Sequence, residues 1–344
     1  MEAINQAERK AAITKFTIFL ALSAVLFIIP FLFYSLIPKG GGNAPQPTSV
    51  IEDNVPADNP SALADVQQRI AQLAARMEKV NITFLVDATE GMEKHLPAVA
   101  QAIGAIEQQY QAEIEAACYR DAAEGTWLYM TNQMVGDAPV TWVQSLDTES
   151  KFDQDEPEAL YYGLKRTLES RHLNPNETNL LILVGDAGNH SQEPATDVSP
   201  SDIVQLMQAK GCHFAAFQAR NPSSSSTYAD FSSQVMDDIL TPIKTSAGNA
   251  LQEKDSLDSY GIYYKLTGDT YYTLYATNPA QSLPDDVLTE KISQFVAQVL
   301  IPKQHLATIN ALAKGESATF SPDLADYLRQ NQFSDEEVTL LTSR

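Results

Sequence analysis

From Asn81 onward the apolar positions change period repeatedly. Ile82-Thr83-Phe84-Leu85-Val86 and Leu180-Leu181-Ile182-Leu183-Val184 are continuous runs, the pattern of a parallel strand buried on both faces. Between and after them the spacing lengthens to the three-and-four rhythm of a helix. Leu96, Val99, Ile103 and Ile106 form one stripe, Pro157 to Leu168 a second, and Pro284 to Leu300 another. Ser199-Pro200-Ser201-Asp202 caps a helix that runs to Lys210 and stops at Gly211, and a helix is predicted near Tyr228 to Leu240. Further strands are predicted over Ile114 to Tyr119, Trp127 to Thr131, His213 to Gln218 and Tyr271 to Ala276. The Ala-Ala-Glu-Gly turn joins the first two of these as a hairpin. Strands alternating with helices predict an α/β fold: a doubly wound, mostly parallel, Rossmann-like sheet under right-handed crossovers.

Ahead of that domain the pattern has three other textures. Phe16 to Ile37 is apolar apart from Thr17, Ser23, Tyr34 and Ser35, and carries no charge. At ~1.5 Å per residue it is long enough for the ~30 Å hydrocarbon layer, and a membrane helix tolerates Pro30 with a kink. A cleaved signal peptide is the alternative, but the run is long for one and no Ala-x-Ala-like site follows it. Arg9, Lys10 and Lys15 precede the span and acids dominate after Lys39, so residues 1–15 are expected in the cytoplasm and the bulk across the membrane, in the periplasm. Residues 38–58 are rich in Gly and Pro and read as a tether. Residues 59–80 form an amphipathic helix, with Leu63, Val66, Ile70, Leu73, Met77 and Val80 at a/d spacing. This stripe either docks on the neighbouring domain or pairs with other copies as a short coiled coil, giving a homo-oligomer. The α/β domain is expected over 81–302. Residues 303–344 follow as small helices, with Ser334-Asp335-Glu336-Glu337 as a helix start; they pack on the domain or dock another subunit.

Composition narrows the partners. The formal net charge of -21 argues against nucleic acid, whose binding needs a basic surface. The two cysteines, Cys118 and Cys212, sit in apolar strands and are expected to be buried thiols rather than a disulfide. The five histidines are scattered, and only His190 stands near an aspartate of interest, as a donor behind a metal ligand. Tyr263-Tyr264 and Tyr271-Tyr272 are either core pairs or an interaction face.

Both continuous strands stop at an aspartate, in Val86-Asp87-Ala88-Thr89-Glu90-Gly91-Met92 and Val184-Gly185-Asp186-Ala187-Gly188-Asn189-His190. In a parallel sheet this places both carboxylates at the edge where ligands bind. Together they are suited to a hard cation; the alternative is that each caps a helix in a metal-free fold.

With the acidic run Asp153-Gln154-Asp155-Glu156-Pro157-Glu158 and the Tyr119-Arg120-Asp121 hairpin, these segments resemble a von Willebrand factor A domain over roughly residues 80–302. The resemblance implies a metal-ion-dependent adhesion site. Asp87 and Thr89 match its first motif, Asp155 its second loop and Asp186 its third. Gly91 departs from the pattern, because it stands where a second hydroxyl is expected and supplies none. Mg²⁺ or Mn²⁺, or Ca²⁺, is the implied cation, with one ligand position left for a carboxylate from a protein partner. The first forty residues resemble, less specifically, a small single-pass inner-membrane component of one bacterial type VI secretion subtype. The expected function is metal-dependent protein–protein interaction in an envelope assembly, and not catalysis. An architectural subunit with a degenerate metal site is the alternative. A haloacid-dehalogenase-like phosphatase is a distant third, because Thr89, Asn189 and His190 stand where it needs acids.

Overall fold

The central strand is β1, Val80–Asp87, in which every residue is buried. Its neighbours β2 (Glu113–Tyr119) and β4 (Thr178–Gly185) both run parallel to it, Phe84 pairing with Ala116 on one side and Ile182 on the other. An interior strand of this kind has no wet face, which is why its sequence does not alternate. The computed structural model describes residues 60–120, 128–130, 138–148, 157–190, 198–220, 226–247, 251–258, 260–266, 272–278, 282–330 and 333–342. The membrane span expected over 16–37, the tether over 38–58 and Asp155 all lie outside them. Among the described residues no helix is long and apolar enough to cross a membrane.

The sheet continues with β3 (Leu128–Met130), β5 (Cys212–Gln218), β6 (Leu251–Asp258), β7 (Gly261–Leu266) and β8 (Tyr272–Thr277), in the order β3-β2-β1-β4-β5-β8-β7-β6. Strands β2, β1, β4, β5 and β8 are mutually parallel. Strand β3 closes one edge as an antiparallel hairpin with β2, and β7 with β6 extend the other edge antiparallel to β8. The β6–β7 pair is an addition to the expected topology. It accounts for Tyr263 and Tyr264, which are buried, Tyr263 completely. Tyr263 and Tyr264 are therefore core residues, not an interaction face.

Helices cover both faces. On one lie α1 (Pro60–Arg76), α2 (Leu96–Gln109) and α8 (Asp285–Val299), joined by α9 (Lys303–Ala313), α10 (Pro322–Gln330) and α11 (Asp335–Thr342). On the other lie α4 (Leu160–Ser170), α5 (Pro200–Ala209), a π-helical turn over Val235–Leu240 that continues α6 (Ser226–Gln234), and α7 (Thr241–Ala247). A short helix α3, Pro139–Gln144, packs beside α2. The cap of α5 is reciprocal: Ser199 Oγ accepts from Asp202 N–H at 3.3 Å, and the Asp202 carboxylate accepts from Ser199 N–H at 3.5 Å. Cys118 and Cys212 are free, buried thiols.

The stripe of α1 is spent inside the chain. Val66, Ile70, Leu73 and Met77 are buried in the same core as Ile309, Leu312, Val338 and Leu341 of the C-terminal helices. Arg69 pairs with Glu337, and its guanidinium stands 4.1 Å above the Phe333 ring. The helix ends at Arg76, and Val80 belongs to β1, so only Met77–Lys79 separate the two. Helices α9 to α11 thus fold back on the segment that leads into the domain.

Candidate functional site

Asp87 closes β1 and Asp186 follows the last residue of β4, so two neighbouring parallel strands deliver both carboxylates to one rim. Asp87, Asp186 and Thr89 are all buried, at 0, 1 and 2% exposure. Oδ1 of Asp87 accepts two bonds from Thr89, from the hydroxyl at 2.6 Å and from the backbone N–H at 3.0 Å. This turns the chain sharply after the strand. Asp87 does not cap the helix that follows, since α2 begins only at Leu96.

The other oxygen of Asp87 meets Tyr119, its register partner at the end of β2, whose hydroxyl donates to Oδ2 at 3.3 Å. Two glycines make room for that phenol. A Cβ at Gly163 would lie 2.6 Å from Tyr119 Cβ, and one at Gly185 would lie 2.3 Å from the hydroxyl oxygen and 3.2 Å from Asp87 Cβ.

The electrostatics follow from burial. Desolvation above all, and then the charge of Asp186, raise the pKa of Asp87 from 3.8 to about 7, against the bonds from Thr89 and Tyr119. Tyr119 is held well above its ordinary 10.0, first by burial and then by Asp87, Glu158 and Asp186. Glu158, 4% exposed, is the residue that sequence reasoning missed here. It belongs to the acidic run in which Asp155 was singled out, three residues further on and beside a proline. The negative charges of Asp87, Glu158 and Asp186 all act on the Tyr119 hydroxyl. Among the described residues, however, no three His, Cys, Asp or Glu side chains are grouped as an ion requires.

The loop that carries Asp186 is fixed on several sides. Glu158 forms a bridge with Asn189; its N–H donates to Gly188 O at 2.9 Å, and His190 N–H donates to Glu158 O at 3.2 Å. Asn189 Oδ1 accepts from Tyr161 N–H at 2.8 Å. Gln234 clamps the Asn189 backbone, accepting from its N–H at 2.6 Å and donating to its O at 3.2 Å. Gln218 donates to Asp186 O at 3.3 Å and is itself bonded by Ser232. Asn189 is therefore occupied in shaping the loop. His190 is half-buried beside it and contributes its backbone to the bridge.

A hard divalent cation fits the donor set in part. Two buried carboxylates, the charge of Asp186 raising the proton affinity of Asp87, together with the Thr89 alcohol, favour a positive charge. Gly91 counts the other way. It sits at φ 103° and ψ -22°, a left-handed conformation, and its N–H donates to Glu93 Oε2 at 2.8 Å. A serine there would be strained, so the loop differs in backbone as well as in its missing hydroxyl.

The model of the family described as TssR protein VWA domain matches residues 65–308. No curated protein matches the sequence. Several solved structures are similar to it. An aerotolerance-related membrane protein from Bacteroides fragilis is 7% identical with a TM-score of 0.30, over 76% of this chain and 98% of that one. BatB from Bacteroides thetaiotaomicron is 9% identical with a TM-score of 0.31, over 73% of this chain and 99% of that one. The manganese-loaded TRAP protein of Plasmodium vivax is 10% identical with a TM-score of 0.31, over 66% and 76%.

Proposed function

Because this chain belongs to the TssR family through its VWA domain, we propose that it is a membrane-anchored binding protein of a bacterial envelope assembly related to type VI secretion. Residues 16–37 anchor it, the domain lies on the periplasmic side, and it holds a protein partner through a divalent cation at the sheet's rim. Asp87, Thr89 and Asp186 would hold Mg²⁺ or Mn²⁺, with Asp155 as the further ligand that the resemblance implies. The cation supplies the charge to which a partner's carboxylate binds. The observation that carries this reading is the Asp87–Asp186 pair, two acids buried side by side at the ends of adjacent strands. A fold gains nothing from such a pair unless a cation or a proton relieves it.

Titration calorimetry of the full-length chain in detergent, with MgCl₂ and with MnCl₂, tests it. Saturable heat is expected from the wild type and none from Asp186→Asn. Equal heats from both, or none from either, would remove the cation from the proposal. A second reading, an architectural subunit with a degenerate site, draws support from the left-handed Gly91. Pull-downs from solubilised membranes with and without EDTA separate the two readings, since chelation strips partners in the first case and leaves them in the second.

A further inference from the structure

Tyr119 carries a hydroxyl into the interior beneath the rim. Its side chain is fully buried, and a phenylalanine would fill the same seat without burying an oxygen. Register sets it opposite Asp87, and it ties the turn after β1 twice. Its backbone oxygen accepts from Ala88 N–H at 3.0 Å, and its hydroxyl donates to Asp87 Oδ2 at 3.3 Å.

The lone pairs of Asp87 are nearly spent. Each carboxylate oxygen has two to offer. Oδ1 uses both on Thr89, accepting from its hydroxyl and from its N–H. Oδ2 accepts from Tyr119 and has one left. A cation that leaves these bonds in place meets Asp87 only through that lone pair, so the group on the other side of Oδ2 decides where it points.

At 3.3 Å the phenolic bond is long for O–H···O, and its strength alone would not hold a carboxylate. The packing around the ring does. A Cβ on Gly185 of β4 would lie 2.3 Å from the hydroxyl oxygen, and one on Gly163 of α4 would lie 2.6 Å from Tyr119 Cβ. Neither glycine has a left-handed backbone, so each is small for the sake of the ring and not for a turn. Gly185 also directly precedes Asp186, so the phenol is lodged where the strands carrying both acids end.

We propose that Tyr119 is a positioning residue of the cation site: its hydroxyl, seated between Gly163 and Gly185, occupies one side of Asp87 Oδ2 and leaves the other for the ion. This rests on the cation reading above and adds to it a residue that touches no ion. Side chains that orient a ligand from behind are worth about 10–100-fold in metal affinity.

The full-length chain in detergent, as wild type and as Tyr119→Phe, is titrated with MnCl₂ by calorimetry. Each protein is also titrated with MgCl₂ while tyrosine absorption is followed as a near-ultraviolet difference spectrum, and a melt in EDTA checks folding. Binding of Mn²⁺ is expected to be roughly tenfold weaker, or more, in Tyr119→Phe. Wild type should show a tyrosine difference band on adding Mg²⁺ that the variant lacks, because the ion draws charge from the carboxylate to which this hydroxyl is bonded. A tyrosine that merely fills space would shift the melt and leave the affinity alone. Equal affinity in the two proteins overturns the assignment and leaves the cation reading standing, whereas no binding in either removes both. Should Tyr119→Phe not fold, Gly163→Ala carries the same comparison, since it keeps the hydroxyl but displaces the ring. An affinity unchanged there overturns the assignment equally.

Discussion

Gly185 is where the rim is tightest. Three groups crowd the place its side chain would take: the Tyr119 hydroxyl at 2.3 Å, the Phe231 ring at 3.1 Å and Asp87 Cβ at 3.2 Å. Gly185→Ala is expected to cost about 1–3 kcal/mol, the range for overpacking a well-filled core. Tyr119 must shift away from Asp87 to admit the methyl group. Urea denaturation measures the loss, and an unchanged midpoint would show that the ring moves freely. Asp87, Thr89 and Asp186 were legible in the sequence because an apolar run ending in an acid places that acid at a known edge. Tyr119 and Glu158 were not. Tyr119 is an ordinary strand aromatic until register sets it opposite Asp87, and Glu158 is one of four acids within six residues. The burial of Glu158 goes with its bridge to Asn189, a contact between loops that no local pattern encodes.

At the level of elements, α1 shows most clearly what periodicity reveals and what it leaves open. The a/d spacing identified the helix and its buried face, but one apolar stripe serves equally well against a second copy or against the same chain. The structure packs it within the chain, on the helices that follow the domain. Ile70, fully buried there, is the test: Ile70→Ala is expected to destabilise the protein by about 2–5 kcal/mol. Arg69→Ala should cost less than about 1 kcal/mol, because its ion pair with Glu337 is partly exposed. Thermal melts of the two variants rank them, and a larger loss at Arg69 would mean that the ion pair and not the stripe holds the helix. The β6–β7 hairpin escaped sequence reading for the opposite reason. Leu251–Asp258 reads Leu-Gln-Glu-Lys-Asp-Ser-Leu-Asp, which is poor in β-branched and aromatic residues. Such a strand suits a sheet edge, where charge discourages pairing with other molecules.

For the whole molecule, the buried acids make stability depend on pH in an uncommon direction. Asp87 takes up its proton far more readily folded than unfolded, from 3.8 to about 7. Between those values the unfolded carboxylate ionises while the folded one keeps its proton. Its contribution is therefore complete below pH 3.8 and is lost as pH climbs to about 7. The swing is worth about 4 kcal/mol at most. In EDTA, Asp87→Asn is expected to melt higher than wild type at pH 8 and to flatten the slope between pH 4 and 7. A variant that melts lower and keeps the slope would show that Asp87 ionises without strain. The overall charge, -21 at pH 7, adds a self-repulsion that grows as pH rises through the same range, a background common to both proteins.

Only Met77–Lys79 lie between α1 and β1, and β1 ends at Asp87. With so little slack, a pull applied at Pro60 first loads the seam between α1 and the C-terminal helices. Once that seam gives, the tension passes along a central strand to the carboxylate at its tip. Traction from the amino-terminal side would thus reach Asp87 without passing through a flexible segment among the described residues.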